Sequence, residues 1–331
     1  MITRKISFST ALPDWNSTIA ISDSKPLPSL HSFLHCDLSF NLGAFGCHTG
    51  NLVNFMNIHV SETAIQIKPF LKWAGGKRWL LPELRKHLPT DYGTYFEPFL
   101  GGGAVFFGIR PQRAILSDLN RELIQLYQAV RDNSLELEQL LRQHQERHGK
   151  EYYYEMRSLK PDSAIEQAAW MLYLNRTCFN GLYRVNQKGE FNVPIGTKSK
   201  VIIEGESFQE LSKSLENTEL MTQDFEKTIS VAEDSDFIYV DPPYTVSHNL
   251  NGFLKYNDSI FSWNDQIRLR NSLENAAQRG AKIIVSNANH ASIRELYNGF
   301  GSLIELPRHS VIAGPASKRM PTSELLFCVG I

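Results

Sequence analysis

Long hydrophobic runs, closely spaced cysteine pairs and a marked excess of either charge are missing from this chain of 331 residues. No stretch reaches the ~20 apolar residues that a membrane-spanning helix needs. No apolar segment follows Arg4 and Lys5, as one would in a signal peptide. The four cysteines include no Cys-x-x-Cys pair, which is typical of a reducing compartment and not of a disulfide framework. These absences predict a cytoplasmic globular protein.

The formal net charge of −1 excludes a uniformly basic surface for nucleic acid, but it allows a local basic patch. Such a patch lies between residues 176 and 200, where aromatic residues are interspersed and the only acid is Glu190. Its basic members are Arg176, Arg184, Lys188, Lys198 and Lys200. Both a solvated loop and a surface for a phosphate backbone fit this pattern.

Residues 1–65 differ from the rest of the chain, because they are rich in Ser, Asn, His and Thr and show no sustained helical or strand period. We expect a disordered or loosely attached extension, or a functional start at Met56. Histidines and cysteines between residues 31 and 48 could be imagined as zinc ligands, but their spacing fits no familiar zinc finger. No metal is therefore expected.

From Lys68 onward the pattern is that of an α/β protein. A glycine-bearing loop, residues 70–77, precedes a predicted helix at residues 78–87. A strand at 95–99 then runs into three glycines, Gly101, Gly102 and Gly103, and a helix from Ala104. Strand, glycine turn and helix together are typical of the nucleotide-binding corner of a Rossmann-like unit.

The remaining elements follow from hydrophobic periodicity. Further strands are predicted at residues 114–118, 220–224, 237–240 and 282–286, and further helices at 122–131, 135–145, 165–174 and 264–279. The simplest architecture is one α/β domain, built from residues 66–120 and 207–331, with a mainly helical module of residues 121–206 inserted between its halves.

Asp118 closes the strand at residues 114–118, which leaves two interpretations open. An acid at the end of the second strand of a dinucleotide fold hydrogen-bonds ribose hydroxyls. Alternatively, Asp118 caps the N-terminus of a helix at residues 119–130.

The sequence Asp241-Pro242-Pro243-Tyr244 directly follows the apolar strand predicted at residues 237–240. Neither proline can continue that strand, because each lacks an N–H and has a fixed φ. The result is a rigid corner at the carboxyl end of a buried strand, where open α/β sheets bind their ligands. A carboxylate, prolyl carbonyls and a flat ring suit an exocyclic amino group on a planar heterocycle. A strand followed by a tight turn is the alternative interpretation.

Six motifs resemble the DNA adenine methyltransferase (Dam) family in order and spacing over roughly residues 66–331. They are Phe70-Leu-Lys-Trp-Ala-Gly-Gly-Lys77, Phe96-Glu-Pro-Phe-Leu-Gly-Gly-Gly103, Ser117-Asp-Leu-Asn120, Phe179-Asn-Gly-Leu-Tyr-Arg-Val-Asn186, Gly189-Glu-Phe-Asn-Val-Pro194 and Asp241-Pro-Pro-Tyr244. The resemblance implies a Rossmann-like adenosylmethionine-dependent methyltransferase domain with an inserted, mainly helical DNA-recognition domain.

The resemblance further implies that S-adenosyl-L-methionine is the methyl donor and that adenine N6 in double-stranded DNA is the acceptor, reached by base flipping. Asp241, Pro242 and Tyr244 then form the catalytic corner. The positions that match donor-binding residues are Trp73, Lys77, Gly101, Gly103, Asp118 and Asp241. A bacterial or phage-infected cell is the expected setting, and the enzyme could serve a restriction-modification system, act alone or belong to a phage.

Sequence recognition is implied for a further set of residues, which match positions that contact the site in Dam-like enzymes reading GATC. They are Lys72, Asn180, Leu182, Arg184 and Pro194. Arg184 is the candidate for a bidentate contact with guanine O6 and N7. The chain departs from the Dam pattern after Pro194, with Ile195-Gly-Thr-Lys198, so the outer bases of the site stay open.

Three other interpretations fit parts of the pattern. A Pro-Pro-Tyr corner also serves methylation of cytosine N4 or of another planar amine or amide. A catalytically silent DNA-binding relative would keep the fold, although intact Lys77, Asp118 and Asp241 argue against it. A dinucleotide oxidoreductase fits only the glycine corner.

Overall fold

The structure, a computed structural model, describes residues 67–186, 188–246, 261–308 and 322–331. Within these ranges seven strands form one sheet. They are β1 (Tyr95–Glu97), β2 (Ala114–Asp118), β3 (Thr218–Thr222), β4 (Phe237–Val240), β5 (Lys282–Ala288), β6 (Ser302–Arg308) and β7 (Thr322–Val329).

The strand order in the sheet is β3-β2-β1-β4-β5-β7-β6. The first five strands in this order run parallel, whereas β7 is antiparallel to both β5 and β6. The chain order reverses between β1 and β4, and in open α/β sheets ligands bind in the crevice outside the carboxyl ends of such strands. This mixed α/β sheet is consistent with a methyltransferase fold, and it directs attention to the ends of β1 and β4.

Ten α-helices are described around the sheet. They are α1 (Leu81–Leu84), α2 (Ala104–Ile109), α3 (Arg121–Asp132), α4 (Ser134–Arg147), α5 (Lys150–Ser158), α6 (Ala164–Thr177), α7 (Phe208–Leu215), α8 (Phe225–Ser230), α9 (Trp263–Gln278) and α10 (Ala291–Leu296). Several begin at a side chain that accepts a hydrogen bond from the first turn, as Ser163, Ser207 and Asp224 do. In α9, Ser262 and Asp265 form a reciprocal capping box.

The core lies on both faces of the sheet. In β4, Phe237 and Tyr239 pack into one hydrophobic cluster and Ile238 and Val240 into another, because successive side chains of a strand point to opposite faces. Covering both faces explains why β4 is an unbroken apolar run.

The predicted strands at residues 114–118 and 237–240 match β2 and β4 in their bounds, and the helix predicted at 264–279 matches α9 within one residue. The strand predicted at 220–224 begins and ends two residues earlier, because Asp224 instead caps α8 by accepting from the amide of Glu226 at 2.9 Å. The sequence pattern predicts neither β6 nor β7, although the apolar run 325–329 was a usable strand signal.

The helix predicted at residues 78–87 is reduced to the four residues of α1. Pro82 lies in its first turn, where a missing N–H is tolerated, so the helix cannot extend far toward the N-terminus. Beyond Arg85 the backbone continues in tight turns, with the amides of Lys86 and His87 donating to the carbonyls of Glu83 and Leu84.

All described residues belong to one compact unit. Within it, α3 is tied to the sheet, since Gln128 and Arg131 donate to the carbonyls of Leu220 and Thr218 in β3. The division into a catalytic domain and an inserted module of residues 121–206 stays a prediction. The expectations for residues 1–65, including a start at Met56, lie outside the described residues. Among the described helices, none combines the length and apolar character required to span a bilayer.

Arg176, at the end of α6, is a buried anchor and not a member of a basic surface. It is 4% exposed, and its guanidinium donates to the carbonyls of Phe70 (2.7 Å) and Val201 (2.6 Å) and to both carboxylate oxygens of Glu206 (2.7 and 2.8 Å). Its inclusion in the basic patch was therefore wrong: the guanidinium has five N–H donors, and here they satisfy interior acceptors.

We expect Arg176→Met to lower the free energy of unfolding by about 3 kcal/mol or more, because it leaves Glu206 and two carbonyls without their partner. Urea denaturation measures this loss. The matched control is Arg142→Met, which breaks an ion pair with Glu138 in which the arginine is 58% exposed. That change should cost less than about 1 kcal/mol. Equal losses for the two variants would contradict the anchoring role of Arg176.

Candidate active site

Lys77 is a buried cation beside the end of β4, with a side chain only 4% exposed. Its ammonium nitrogen lies 3.0 Å from Oδ1 of Asp241 and 3.4 Å from Oε2 of Glu324. It also lies 4.5 Å from the ring centre of Tyr244 and donates to the carbonyl of Gly75 at 3.2 Å. A buried ammonium requires such partners, and two carboxylates around one cation leave the cluster with an excess of negative charge.

Asp241 follows β4 directly, so the rigid strand fixes its position. Its Oδ1 also accepts a hydrogen bond from the hydroxyl of Ser286 in β5 at 2.9 Å. Burial raises the pKa of Asp241, while Lys77 and Ser286 oppose that rise. The side chain is still 19% exposed, so a ligand in the crevice can reach it.

Tyr244 completes the corner, and its hydroxyl donates to Oε2 of Glu324 at 2.8 Å. Pro242, between the acid and the ring, is buried. The predicted catalytic residues Asp241, Pro242 and Tyr244 therefore occupy one corner, together with Lys77.

The glycine turn between β1 and α2 requires residues without a side chain. Gly101 and Gly103 have φ values of +47° and +61°. A Cβ added at Gly101 would lie 2.8 Å from Cδ1 of Trp73, and one at Gly103 would lie 2.7 Å from the hydroxyl of Tyr127. Trp73 thus packs against the turn, and its ring also stacks with that of Tyr183 at 5.4 Å between ring centres.

Asp118, at the end of β2, is held by backbone amides. Its Oδ2 accepts from Gly101 N (3.1 Å) and its Oδ1 from Asn120 N (2.9 Å). Burial raises the pKa of Asp118, and these amides oppose the rise. The helix-capping interpretation of Asp118 is wrong, because the side chain that caps α3 is Asn120, which accepts from Leu123 N at 3.0 Å.

Three side chains of this region were not predicted from the sequence. Glu97 ends β1 and is 3% exposed, with the hydroxyl of Tyr95 donating to it at 2.7 Å. Burial raises the pKa of Glu97 to about 8, and the charge of Asp241 adds to the effect. An acid between an apolar strand and a proline was a signal available for Glu97. Ser286 sits inside a predicted strand, and Glu324 lies on the unpredicted β7.

The predicted recognition residues flank one turn. The amide of Lys72 donates to Oδ1 of Asn175 (2.9 Å), and Nδ2 of Asn175 donates to the carbonyls of Lys72 (2.8 Å) and Gly181 (3.2 Å). The buried side chain of Asn175 therefore joins the loop that carries Lys72 to the turn that carries Asn180 and Leu182.

The turn presents an apolar side chain, that of Leu182, to solvent. Asn180 has a φ of +56°, and Leu182 is 40% exposed. The carbonyl of Pro194 accepts from Phe179 N at 2.9 Å, which places Pro194 beside the same turn. Burial lowers the pKa of Lys72, and the nearby Lys198 lowers it further.

Arg184 lies on a short hairpin that follows the turn, where Val185 pairs with Phe191. Its Nε donates to Oδ1 of Asn192 at 2.8 Å and its Nη2 to the carbonyl of Asn192 at 3.4 Å. The side chain is exposed, so its direction is set by the hairpin and not by burial.

Among the described residues, no group of three or more His, Cys, Asp and Glu side chains is arranged to hold a metal ion. The histidines and cysteines between residues 31 and 48 lie outside the described ranges.

We expect the stability of the protein to fall between about pH 4.5 and pH 8 through Glu97, because its pKa is about 8 in the folded chain and ordinarily 4.5. In that interval the folded state holds a proton that the unfolded state has released. Glu97→Gln, which mimics the protonated form, should make the decline shallower in urea denaturation at several pH values. The control variant Glu136→Gln, at an exposed position, should keep the wild-type slope. An unchanged slope in Glu97→Gln would contradict the assignment.

Comparison with known proteins agrees with this geometry. A family model described as D12 class N6 adenine-specific DNA methyltransferase matches residues 73–309. The chain is 41% identical to the type II methyltransferase M1.LlaDCHI of Lactococcus lactis subsp. cremoris, over 74% of this chain and 89% of the relative. It is 37% identical to the type II methyltransferase M.MjaIII of Methanocaldococcus jannaschii, over 71% and 90%.

The chain is also similar to a DNA adenine methylase of Escherichia coli K12, with 32% identity over 78% of this chain and 94% of the relative. The range that the family model matches, residues 73–309, contains the glycine turn, Asp118 and the Asp-Pro-Pro-Tyr corner, which the fold brings to one edge of the sheet. The chain belongs to the D12 class of N6 adenine-specific DNA methyltransferases.

Proposed function

We propose that the enzyme transfers the methyl group of S-adenosyl-L-methionine to adenine N6 in double-stranded DNA, at GATC or a longer site containing GAT, after extruding the adenine from the duplex. The observation that carries this proposal is the cluster of Lys77, Asp241, Tyr244 and Glu324 at the end of β4. It combines a hydrogen-bond acceptor, a flat ring and an excess of negative charge in one crevice.

The residues at the ends of β1 and β2 fit the donor. At Gly101 and Gly103 a Cβ would meet neighbouring side chains, so the turn keeps its tight path only with glycine there, and in our proposal the donor lies against this turn. Asp118 offers a carboxylate for ribose hydroxyls, and Trp73 lies against the same turn. The bound donor supplies an electrophilic methyl group on a positively charged sulfur, and such a cation is favoured near aromatic rings and carboxylates.

The acceptor amine needs help from the protein, because its lone pair is drawn into the adenine ring. In our proposal, Asp241 and the carbonyl of Pro242 accept its two N–H bonds and so direct the lone pair toward the methyl carbon. Among the described residues, Lys77 and Ser286 both contact Asp241 at Oδ1. Alignment of the reacting atoms is the main contribution that an enzyme can make to an in-line displacement.

Base extrusion follows from the position of the reacting atom. N6 is paired and stacked inside a duplex, so the adenine must leave the helix before its amine can reach Asp241. The ring of Tyr244 supplies a surface on which the extruded base stacks, and Glu324 fixes that ring through its hydroxyl.

Sequence recognition is assigned to the module of residues 121–206, which carries the turn and the hairpin after α6. Arg184, oriented by Asn192, is the proposed reader of a guanine, while Lys72, Asn180, Leu182 and Pro194 border the same surface. The basic surface in this proposal comprises Arg184, Lys188, Lys198 and Lys200, all of them exposed.

The first test is expression in a host that lacks DNA methylases, followed by sequencing that distinguishes N6-methyladenine from N4-methylcytosine. The wild-type enzyme should produce N6-methyladenine at GATC or at a longer site containing GAT. Asp241→Asn should lower turnover by on the order of 10² or more, because a preorganised charged acceptor is replaced by a weaker, neutral one. Asp132→Asn, at a half-exposed ion pair, is the control and should keep wild-type activity. Methylated cytosine, or an active Asp241→Asn enzyme, would overturn the assignment.

Arg184→Ala tests the proposed reader of guanine. We expect methylation to lose about 1–3 kcal/mol of discrimination at one guanine position, with a smaller loss of overall DNA affinity. Methylation of the best site and of its single-base variants, at two salt concentrations, measures both effects. Lys200→Ala, at an exposed basic position, is the control and should leave base discrimination unchanged.

A uniform loss across all sites, with a salt slope reduced by about one, would instead make Arg184 a phosphate contact. The reader of that guanine would then be sought at Lys72 or Lys198.

A further inference from the structure

Glu324 is a buried acid near the start of β7, beyond residues 73–309 that the family model matches. Its side chain is 3% exposed. Burying a carboxylate is costly unless it is paired and hydrogen-bonded. The contacts of the Glu324 carboxylate therefore indicate its role.

A single oxygen of Glu324 makes two of these contacts. Its Oε2 accepts from the hydroxyl of Tyr244 at 2.8 Å and lies 3.4 Å from the ammonium nitrogen of Lys77. The same ammonium lies 3.0 Å from Oδ1 of Asp241. Glu324 is thus connected to the proposed stacking ring and, through Lys77, to the proposed acceptor.

The sheet fixes Glu324 in this place. β7 pairs with β5 in a register that sets Glu324 opposite Ala288, and β5 also carries Ser286, which donates to Asp241. The neighbouring strands β5 and β7 therefore each contribute a side chain that holds the corner. Residues built on strands hold a site more tightly than residues on loops do.

We propose that Glu324 is a positioning residue for methyl transfer, which shares the Lys77 ammonium with Asp241 and fixes the ring of Tyr244. This inference rests on the proposed roles of Asp241 and Tyr244.

Sharing the ammonium matters because Asp241 has to accept hydrogen bonds from the target amine. A carboxylate that forms a tight, charge-assisted pair with an ammonium has less acceptor strength left for another donor. With a neutral residue in place of Glu324, Lys77 would have one described carboxylate partner, Asp241, and would pair with it more tightly. Glu324 therefore keeps the acceptor available, and its bond to Tyr244 keeps the ring from turning.

The two parts of this role can be separated by substitution. Glu324→Gln removes the charge but keeps an oxygen that can accept from Tyr244. Glu324→Leu removes both. Tyr244→Phe keeps the ring and removes only the hydroxyl that Glu324 holds.

The experiment measures turnover, the affinity for duplex DNA and the fluorescence of 2-aminopurine placed at the target adenine, which reports base extrusion. Glu324→Gln should lower kcat by about tenfold or more, with DNA affinity and fluorescence within about twofold of wild type. Glu324→Leu and Tyr244→Phe should also lower the fluorescence change. Glu305→Gln, on the adjacent strand β6 and 51% exposed, is the matched control and should match wild type in all three measurements.

The proposal is overturned if folded Glu324→Gln has a kcat within about threefold of wild type, or if its loss only follows the fraction of folded enzyme in circular dichroism. Should that variant not fold, Tyr244→Phe decides: wild-type turnover and fluorescence would overturn the proposal. Failure of the proposed function is distinguishable, because Asp241→Asn would then stay active. An inactive Asp241→Asn enzyme with a normal Glu324→Gln enzyme overturns only the role of Glu324.

Discussion

The structure of the site depends on one buried ammonium. Lys77 sits between Asp241 and Glu324, at 3.0 and 3.4 Å, under the ring of Tyr244. Without a cation in this position, two carboxylates would face each other in a poorly solvated crevice, which costs several kcal/mol. The ammonium of Lys77 therefore holds together the glycine loop, the end of β4 and strand β7. The same ammonium competes with any other donor for the carboxylate of Asp241.

The loop that carries Lys77 is itself fixed near its start by two buried polar side chains. Arg176 holds the carbonyl of Phe70, and Asn175 holds the backbone of Lys72 on both its amide and its carbonyl. These two residues are consecutive in α6, so one helix end determines the path of the loop. Buried networks of this kind are effective only when every member is satisfied, as both of these are.

The strands and site residues that could be predicted from the sequence are those marked by a pattern of neighbouring residues. The runs at residues 114–118 and 237–240 are largely apolar, and an acid closes the first and follows the second. Their bounds and the positions of Asp118 and Asp241 could therefore be predicted. Arg176 looked like any other basic residue near the loop, because burial is set by packing from distant elements. Glu324 could not be assigned at all: it reaches the site only through the pairing of β7 with β5, which no local pattern encodes. The capping role went to Asn120, two residues from the expected acid, since both types suit that position.

The side chain of Asn175 links the turn proposed to recognise DNA to the loop that carries Lys77. Its Nδ2 donates to the carbonyl of Gly181, in the turn that carries Asn180 and Leu182, and to the carbonyl of Lys72. Lys77 lies only five positions after Lys72, and a chain of that length spans at most about 18 Å. The turn that is proposed to read DNA is thus joined to the proposed acceptor corner by a short segment of chain. In the proposed enzyme, this segment limits how far a recognised base can lie from the adenine that is methylated.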